Sequence, residues 1–189
     1  MTSDKVAMKI KDIDSSIKKI AVIGGSRIER KSGIYDMAYE VGKNIAGKGA
    51  ILVCGGLSGV MEAACRGAQS GKAGTADRRA PIVAVLPGYD KADANPYVEI
   101  VITTGMGYAR NSVIASSADA VIAVSGGSGT LSEVAFAWQY GKPIVIIRNL
   151  PGIPGELIDR ALDERRKDRI LGAESPREAV RIVESLLGP

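Results

Sequence analysis

The sequence predicts an α/β domain with a Rossmann-like, doubly wound and mostly parallel sheet that is flanked by helices on both faces. Two observations predict this fold. Short apolar runs recur along the chain, and several of them end at glycine or proline. Between these runs lie segments whose apolar residues are spaced three and four apart, as in an amphipathic helix. Strands that alternate with helices in this way are typical of βαβ units, in which a parallel sheet is buried on both faces.

The first half of the chain contains two strand–turn–helix units. Residues 20–23 are predicted as the first strand because this apolar run stops at Gly24. Residues 35–48 follow with helical apolar spacing, and glycines end that segment. Residues 51–54 are predicted as the second strand, which again runs into glycines, and residues 59–69 as the second helix.

A polar stretch separates these units from the next strands. Residues 71–80 are rich in glycine and contain Arg78 and Arg79, so a surface loop is predicted there. Residues 82–86 form the third predicted strand, which a proline and a glycine close. After a polar connection, residues 98–102 are predicted as a short fourth strand.

The remainder of the chain continues the alternation. Two further apolar runs predict strands at residues 120–124 and 143–147. Periodic segments predict helices at residues 108–117, 129–140, 155–167 and 176–187.

Length and composition predict one cytoplasmic domain. The chain has 189 residues and a net charge of +4, and we expect a polar leader at residues 1–18 and a single domain at residues 19–189. No apolar run is long enough for a membrane span, and the basic residues form no run, so neither a membrane nor a nucleic acid is an expected partner. Cys54 and Cys65 match neither a redox motif nor a zinc-ligand set, so buried thiols are predicted.

Histidine is absent from the chain. This absence excludes Ser-His-Asp hydrolysis, His-ligated zinc and an imidazole general base. No metal site is predicted. Any catalysis has to rely on carboxylates, guanidinium groups and backbone dipoles.

Glycine, by contrast, is abundant, with 23 residues, and many of these follow predicted strands. In doubly wound sheets, ligands bind outside the carboxyl ends of the strands. Glycines there let backbone N–H groups converge on a phosphate, and a helix amino terminus adds positive charge. The predicted anion-binding residues are Gly24, Gly25, Ser26, Gly55, Gly56, Ser58, Gly59, Gly126, Gly127, Ser128, Gly129 and Thr130.

Two of these turns resemble each other. Residues 54–64 and 125–135 both place paired glycines after a strand and a glutamate, Glu62 or Glu133, one turn into the helix. Neither turn carries a P-loop lysine, and the G-x-G-x-x-G fingerprint is missing after the first strand. The alternative explanation is that the glycines serve only tight strand-to-helix turns.

Glu133 and Arg110 are the candidate catalytic residues. Glu133 lies about 200° from Leu131 around the predicted helix, off its apolar stripe, so it is expected to leave the core near the anion site. A glutamate in a first turn also simply complements the helix dipole, and that alternative stays open. Arg110 opposes the dipole at a helix start, which favours an anionic or carboxylate partner over plain surface exposure.

Residues 55–62, 108–111 and 126–133 together resemble the LOG (Lonely Guy), or SLOG, superfamily, whose members are often mislabelled lysine decarboxylases. The G-G-x-G-T-x-x-E pattern with an upstream arginine carries this resemblance, which extends over residues 20–147. Residues 105–111 are more similar to the branch that includes molybdenum-cofactor carrier proteins.

The resemblance to LOG enzymes implies hydrolysis of the N-glycosidic bond of a nucleoside 5′-monophosphate, without a required cofactor. Glu133 would then engage the ribose and the attacking water, and Arg110 would stabilise the glycosidic transition state. Because that state is oxocarbenium-like, the carboxylate would supply the negative charge needed beside the sugar. The residues that match the phosphate-binding positions are Gly126, Gly127, Gly129 and Thr130.

Two residues depart from the LOG pattern. Ser125 stands where LOG enzymes usually have proline, and Asn111 stands where they have a basic residue. The carrier branch implies a second class of function, a non-catalytic carrier of the molybdenum cofactor or another pterin, or a sensor of nucleotide derivatives. Both branches imply a phosphate-bearing small-molecule ligand and a homodimer or larger homo-oligomer.

Overall fold

Seven parallel strands form the central sheet of the computed structural model, which describes residues 17–72 and 80–188. The strands, in chain order from β1 to β7, are Lys19–Gly24, Ile51–Cys54, Ile82–Leu86, Ile100–Thr103, Ala120–Val124, Ile144–Ile147 and Leu171–Ala173. Their order across the sheet is β4-β3-β2-β1-β5-β6-β7, and every pairing is parallel. The predicted α/β class and doubly wound sheet are therefore confirmed.

Five α-helices pack on the two faces of this sheet within the described residues. In chain order from α1 to α5 they are Gly33–Gly47, Val60–Lys72, Arg110–Ser117, Ser128–Gln139 and Pro176–Leu187. Alternate residues of β1 separate the two layers. Ile20 and Val22 belong to the core that contains α1, α2 and α5, whereas Ala21 and Ile23 belong to the core that contains α3 and α4.

The strand order reverses between β1 and β5. Residues of β1 lie in register with residues of β5, from Ile20 beside Ala120 to Gly24 beside Val124. The chain leaves β1 toward one face of the sheet and leaves β5 toward the other. A crevice for ligands is expected between the two exits, outside the carboxyl ends of these strands.

The predicted helix at residues 155–167 is wrong. A short 3₁₀ helix at Ile153–Leu157 is followed by turns, and the sheet gains a seventh strand that the sequence patterns did not predict. Backbone hydrogen bonds in this segment join residues about ten positions apart instead of residues four apart, as in an α-helix. The N–H of Asp159 donates to the carbonyl of Ile170 at 2.8 Å, and that of Ile170 donates to the carbonyl of Arg160 at 3.0 Å.

Side chains hold this non-helical segment against α4. The indole N–H of Trp138 donates to the Asp163 carboxylate at 2.9 Å. The Arg166 guanidinium lies 4.5 Å from the centre of the Trp138 indole ring and donates to the Lys142 carbonyl at 2.8 Å. These contacts stabilise an irregular backbone conformation that helical propensity alone does not predict.

Cys54 and Cys65 are fully buried free thiols, as predicted, and their sulfur atoms lie 3.4 Å apart. Gly71 and Lys72 belong to α2 and not to the predicted loop at residues 71–80. Most of that loop, with Arg78 and Arg79, and most of the predicted leader at residues 1–18 lie outside the described residues. Within residues 17–72 and 80–188, no helix combines the length and apolarity that crossing a bilayer requires.

Candidate functional site

Three glycine turns meet at the carboxyl edge of the sheet. The turn after β1 contacts the start of α2, where the Val60 N–H donates to the Gly25 carbonyl at 3.0 Å. It also faces the turn after β5, because a Cβ built on Gly25 would lie 3.8 Å from the Cα of Gly126. The structure therefore brings the three predicted turns together around the switch point between β1 and β5.

The turn after β5 leaves the amino terminus of α4 open. No neighbouring atom lies within 4 Å of a Cβ built on Gly127 or on Gly129. Gly127 caps α4 without any side-chain hydrogen bond, whereas serine side chains, Ser32 and Ser175, cap α1 and α5. The first backbone N–H groups of a helix lack intrahelical partners. Those of α4 are therefore free to bind an anion, with the helix dipole favouring negative charge.

Gly126 shapes this turn. Its φ of +123° lies in a region that side chains rarely adopt, and a Cβ there would overlap the Thr130 hydroxyl. Thr130 itself is buried beneath the turn. Gly127 and Ser128, by contrast, are exposed, which makes their backbone the accessible part of the predicted phosphate site.

The predicted residues of the other two turns contact one another. Gly24 is packed between the Val124 carbonyl and the Val60 side chain. The hydroxyl of Ser58 donates to the Ser26 carbonyl at 2.7 Å, and Gly59 lies against the Gly25 carbonyl. Two further glycines are packed in the same way, Gly56 against Ala84 and Leu86, and Gly55 against Arg110. The turns after β1 and β2 are therefore packed against each other and against the sheet. Among the predicted anion-binding glycines, those with open space around them belong to the turn after β5.

Arg110 and Glu133 form a buried ion pair beside that open turn. Arg110 begins α3 and is 8% exposed, Glu133 lies in the second turn of α4 and is 6% exposed, and 3.3 Å separates Nη1 from Oε1. A Cβ on Gly55 would lie 2.5 Å from Arg110 Nη2, so the guanidinium requires a glycine there. Arg110 Nε has no hydrogen-bond partner. The sequence-based candidates thus lie together, and the guanidinium keeps one donor unsatisfied.

The expectation that Glu133 leaves the core is wrong. The buried residues of α4 are Thr130, Glu133, Val134, Ala137 and Trp138. Leu131 and Ala135, which the predicted stripe included, are only half-buried. The helix is rotated so that its inner face is centred about one residue from the predicted stripe. The rotation buries the Glu133 carboxylate, and the buried Arg110 of α3 provides its counter-charge. Helical spacing within α4 contains no information about a partner on another helix.

Burial raises the pKa of Glu133 from 4.5 to about 7. Removing the carboxylate from water favours its neutral form, and the charge and hydrogen bond of Arg110 oppose this effect only in part. Near neutral pH the group therefore exchanges a proton readily. That property suits a residue that accepts a proton during a reaction, and perturbed pKa values of this kind are common at functional sites.

Asn111 links the arginine to the open helix, a role that the sequence analysis did not predict. Its amide oxygen accepts from Arg110 Nη1 at 2.5 Å. Its amide nitrogen donates to the Gly129 carbonyl at 3.2 Å and to the Ser132 hydroxyl at 2.8 Å. The only hint in the sequence was the departure from the basic residue of the LOG pattern. A neutral side chain here both accepts and donates, which a lysine or arginine does not do.

Ser125 adopts a backbone conformation that proline cannot adopt. Its φ is +58°, and its hydroxyl donates to the Pro151 carbonyl at 2.6 Å. The proline ring holds φ near about −65°. The departure at this position therefore changes the backbone entering the phosphate turn as well as the side chain.

Glu62, the counterpart of Glu133 in the similar turn, has different partners. Its carboxylate pairs with Arg30 at 2.6 Å and accepts from the Tyr35 hydroxyl at 3.3 Å. Arg30 is largely exposed, whereas Arg110 is buried. The two turns thus share a buried glutamate but not its electrostatic surroundings. Over the described part of the chain, no group of three or more Cys, Asp or Glu side chains is placed to hold a metal ion.

Comparison with known proteins identifies similar chains. The model of the SLOG cluster4 family matches residues 17–180. The molybdenum cofactor binding protein of the phototrophic bacterium Rippkaea orientalis superposes with a TM-score of 0.76 at 30% identity, covering 91% of this chain and 98% of that one. The molybdenum cofactor carrier protein of Chlamydomonas reinhardtii gives a TM-score of 0.73 at 32% identity, covering 90% and 98%.

An enzyme is also similar over part of the chain. The cytokinin riboside 5′-monophosphate phosphoribohydrolase LOG of Oryza sativa is 32% identical over 124 residues. That stretch is 64% of this chain but only 48% of the rice protein, so the match spans about half of the enzyme. Similarity over nearly full length is therefore seen with the cofactor-binding proteins.

The titration of Glu133 predicts how stability depends on pH. Folding favours the protonated form of Glu133, because the pKa is higher in the folded state than the usual 4.5. The stability that this form contributes is present in full below about pH 4.5 and is lost as the pH rises through about 7. A rise of this size corresponds to on the order of 3 kcal/mol. Between about pH 5 and about pH 8, the wild-type free energy of unfolding should fall by up to that amount relative to Glu133→Gln.

Urea denaturation across this pH range measures the difference. Glu164→Gln, an exposed glutamate in the turns before β7, serves as the matched control and should parallel the wild type. If Glu133→Gln and the wild type keep a constant difference at every pH, Glu133 does not titrate near neutrality.

Proposed function

The chain belongs to the SLOG cluster4 family, and we propose that it binds a phosphate-bearing heterocyclic ligand whose phosphate contacts the amino terminus of α4. One observation carries this proposal. The helix begins with open glycines and no side-chain cap, beside an arginine with an unsatisfied donor. A phosphate would accept hydrogen bonds from the free N–H groups, and its negative charge would interact favourably with the positive end of the helix dipole.

The ligand class that we favour is a pterin of the molybdenum-cofactor type, held without turnover. The near full-length similarity to proteins described as molybdenum cofactor binding and carrier proteins supports this class. The residues that would hold the phosphate group are Gly127, Ser128, Gly129 and Thr130. The pterin dithiolene would carry the metal as cargo, and this chain would contribute binding and shielding only.

Hydrolysis of a nucleoside 5′-monophosphate is the second candidate, and the Arg110–Glu133 pair favours it. With a pKa of about 7, Glu133 would accept a proton from water as that water attacks C1′ of the ribose. The N-glycosidic bond would break, the leaving base would take up the equivalent of the proton that Glu133 removed from water, and ribose 5-phosphate would remain. Arg110 would favour the ionised, proton-accepting form of Glu133 before this step, in which the glutamate becomes neutral.

A charge placed at the phosphate site tests the shared part of both candidates. Gly129 has open space around it, so Gly129→Asp and Gly129→Asn should both fold. The two substitutions have nearly the same shape, and only the aspartate repels an anion. We expect Gly129→Asp to weaken the binding of AMP and of inorganic phosphate at least tenfold relative to Gly129→Asn, as measured by isothermal titration calorimetry. Equal affinities for the two variants would show that the phosphate binds elsewhere.

Base release separates the two candidates. We expect the purified protein to release no base from a panel of nucleoside 5′-monophosphates, assayed by chromatography, while a pterin monophosphate binds and is recovered intact. Release of a base at a rate that Glu133→Gln lowers at least a hundredfold, with Glu164→Gln unaffected, would instead establish the hydrolase. The glutamine variant keeps the shape of the side chain and removes its ability to accept a proton.

We also propose that a second copy of this chain covers the outer part of β4. Parallel sheets are normally buried on both faces, but Ile100 and Ile102 are 47% and 45% exposed on the α3/α4 side. Between Ile100 and Ala118 the only charged residue is Arg110, which is buried. A two-fold interface pairs one patch with itself, so a patch without charge suits a second copy better than a charged partner.

A charge at this patch tests the dimer. Ile102→Lys should convert the protein to a monomer in light scattering coupled to size-exclusion chromatography, because the two-fold axis would bring two lysines together. Leu186→Lys, at an equally exposed leucine of α5 on the opposite face, should leave the mass unchanged. A wild-type monomer, or a dimer that survives Ile102→Lys, would exclude this interface.

A further inference from the structure

Two tyrosines stand almost fully exposed at the ligand edge of the sheet. Tyr89 follows β3 and is 86% exposed, and Tyr108 precedes α3 and is 87% exposed. Among the described residues, the next most exposed large apolar side chain, Leu186, reaches only 50%. Aromatic side chains commonly line the sites at which proteins bind small molecules.

Ordered backbone carries both rings. The turn after β3 and the turn after β4 continue to pair beyond the strands, through a bond from the Gly105 N–H to the Gly88 carbonyl at 3.1 Å. The Gly107 N–H donates to the Pro87 carbonyl at 2.9 Å. The Tyr89 ring lies against Gly105, whose φ is +64° and where any Cβ would overlap the ring. An aromatic side chain on an ordered backbone loses less entropy on binding a ligand than one on a mobile loop.

The tyrosines are within reach of a ligand held at α4. The Asn111 amide donates to the Gly129 carbonyl at 3.2 Å, so the start of α3 touches the first turn of α4. Tyr108 precedes Asn111 by three residues, a span of at most about 10 Å of chain. A ligand whose phosphate binds at Gly129 and which passes over Arg110 would bring its ring system to Tyr108, and then toward Tyr89.

We propose that Tyr108 and Tyr89 form a stacking surface for the planar heterocycle of the ligand. This inference rests on the proposed phosphate site at α4. Stacking on an aromatic side chain strengthens the binding of a planar ring and tolerates different rings, because every planar heterocycle presents a π face. The chemical class that fits is therefore a phosphate ester of a fused heteroaromatic ring, a purine or a pterin. The two tyrosines select the ring and the α4 turn selects the phosphate.

A comparison of AMP with ribose 5-phosphate tests this assignment. The two probes share the phosphate and the sugar, and only AMP carries a ring. We expect calorimetry on the full chain to give at least fivefold weaker AMP binding for Tyr108→Ala, and a similar loss for Tyr89→Ala. Ribose 5-phosphate binding should stay unchanged. Tyr108→Phe and Tyr89→Phe keep the ring and should retain AMP affinity.

Tyr140→Ala is the matched control. Tyr140 is a partly exposed tyrosine that follows α4, close to the start of β6 and so at the opposite edge of the sheet. This variant should bind both probes like the wild type. The thermal unfolding midpoint of each variant, compared with that of the wild type, checks that the substitution leaves the fold intact.

Several outcomes would overturn the inference. Equal losses of AMP and ribose 5-phosphate affinity would assign the tyrosines to the phosphate or to the fold. Wild-type protein that binds ribose 5-phosphate as tightly as AMP would exclude stacking while leaving the phosphate site standing. Failure of the wild type to bind AMP, ribose 5-phosphate and inorganic phosphate would remove the proposed function and this inference with it. A changed oligomeric mass with unchanged AMP affinity would assign the tyrosines to a protein interface.

Discussion

The close approach of β1 and β5 at their carboxyl ends is the constraint on which the site depends. Gly24 has no room for a side chain because the Val124 carbonyl and the Val60 side chain fill the space around it. The chain then leaves the two strands toward opposite faces, so the crevice between them is lined by backbone. A helix that starts at such a point presents its unpaired N–H groups to whatever enters the crevice. The open start of α4 is a direct consequence of this topology.

The Arg110–Glu133 pair adds an electrostatic element that does not serve stability. Burying an ion pair costs desolvation energy that the attraction between the charges repays only in part. The raised pKa of Glu133 shows that here the desolvation is the larger effect. The pair is nevertheless supported by Asn111 and by the close packing of Gly55. Buried charged groups with a shifted pKa are typical of ligand-binding and catalytic sites, so the pair is compatible with either binding or hydrolysis.

Much of the fold followed from apolar spacing, because every core strand is an uninterrupted apolar run. The failures have specific physical causes. The segment at residues 155–167 contains apolar residues at helical spacing, but its backbone pairs with Ile170 and Arg166 stacks on Trp138, which are contacts between distant residues. The burial of Glu133 depended on a cation contributed by another helix. The conformation of Ser125 and the bridging role of Asn111 depended on neighbours that local patterns do not specify.

The binding of a phosphate group at the open amino terminus of α4 underlies both candidate functions and the proposed stacking surface. A crystal structure of the protein with AMP tests it most directly. We expect the phosphate oxygens to lie within hydrogen-bond distance of the backbone N–H groups of Gly129 and Thr130, with the adenine ring over Tyr108. A phosphate found at the start of α2, or away from the carboxyl edge of the sheet, would contradict it.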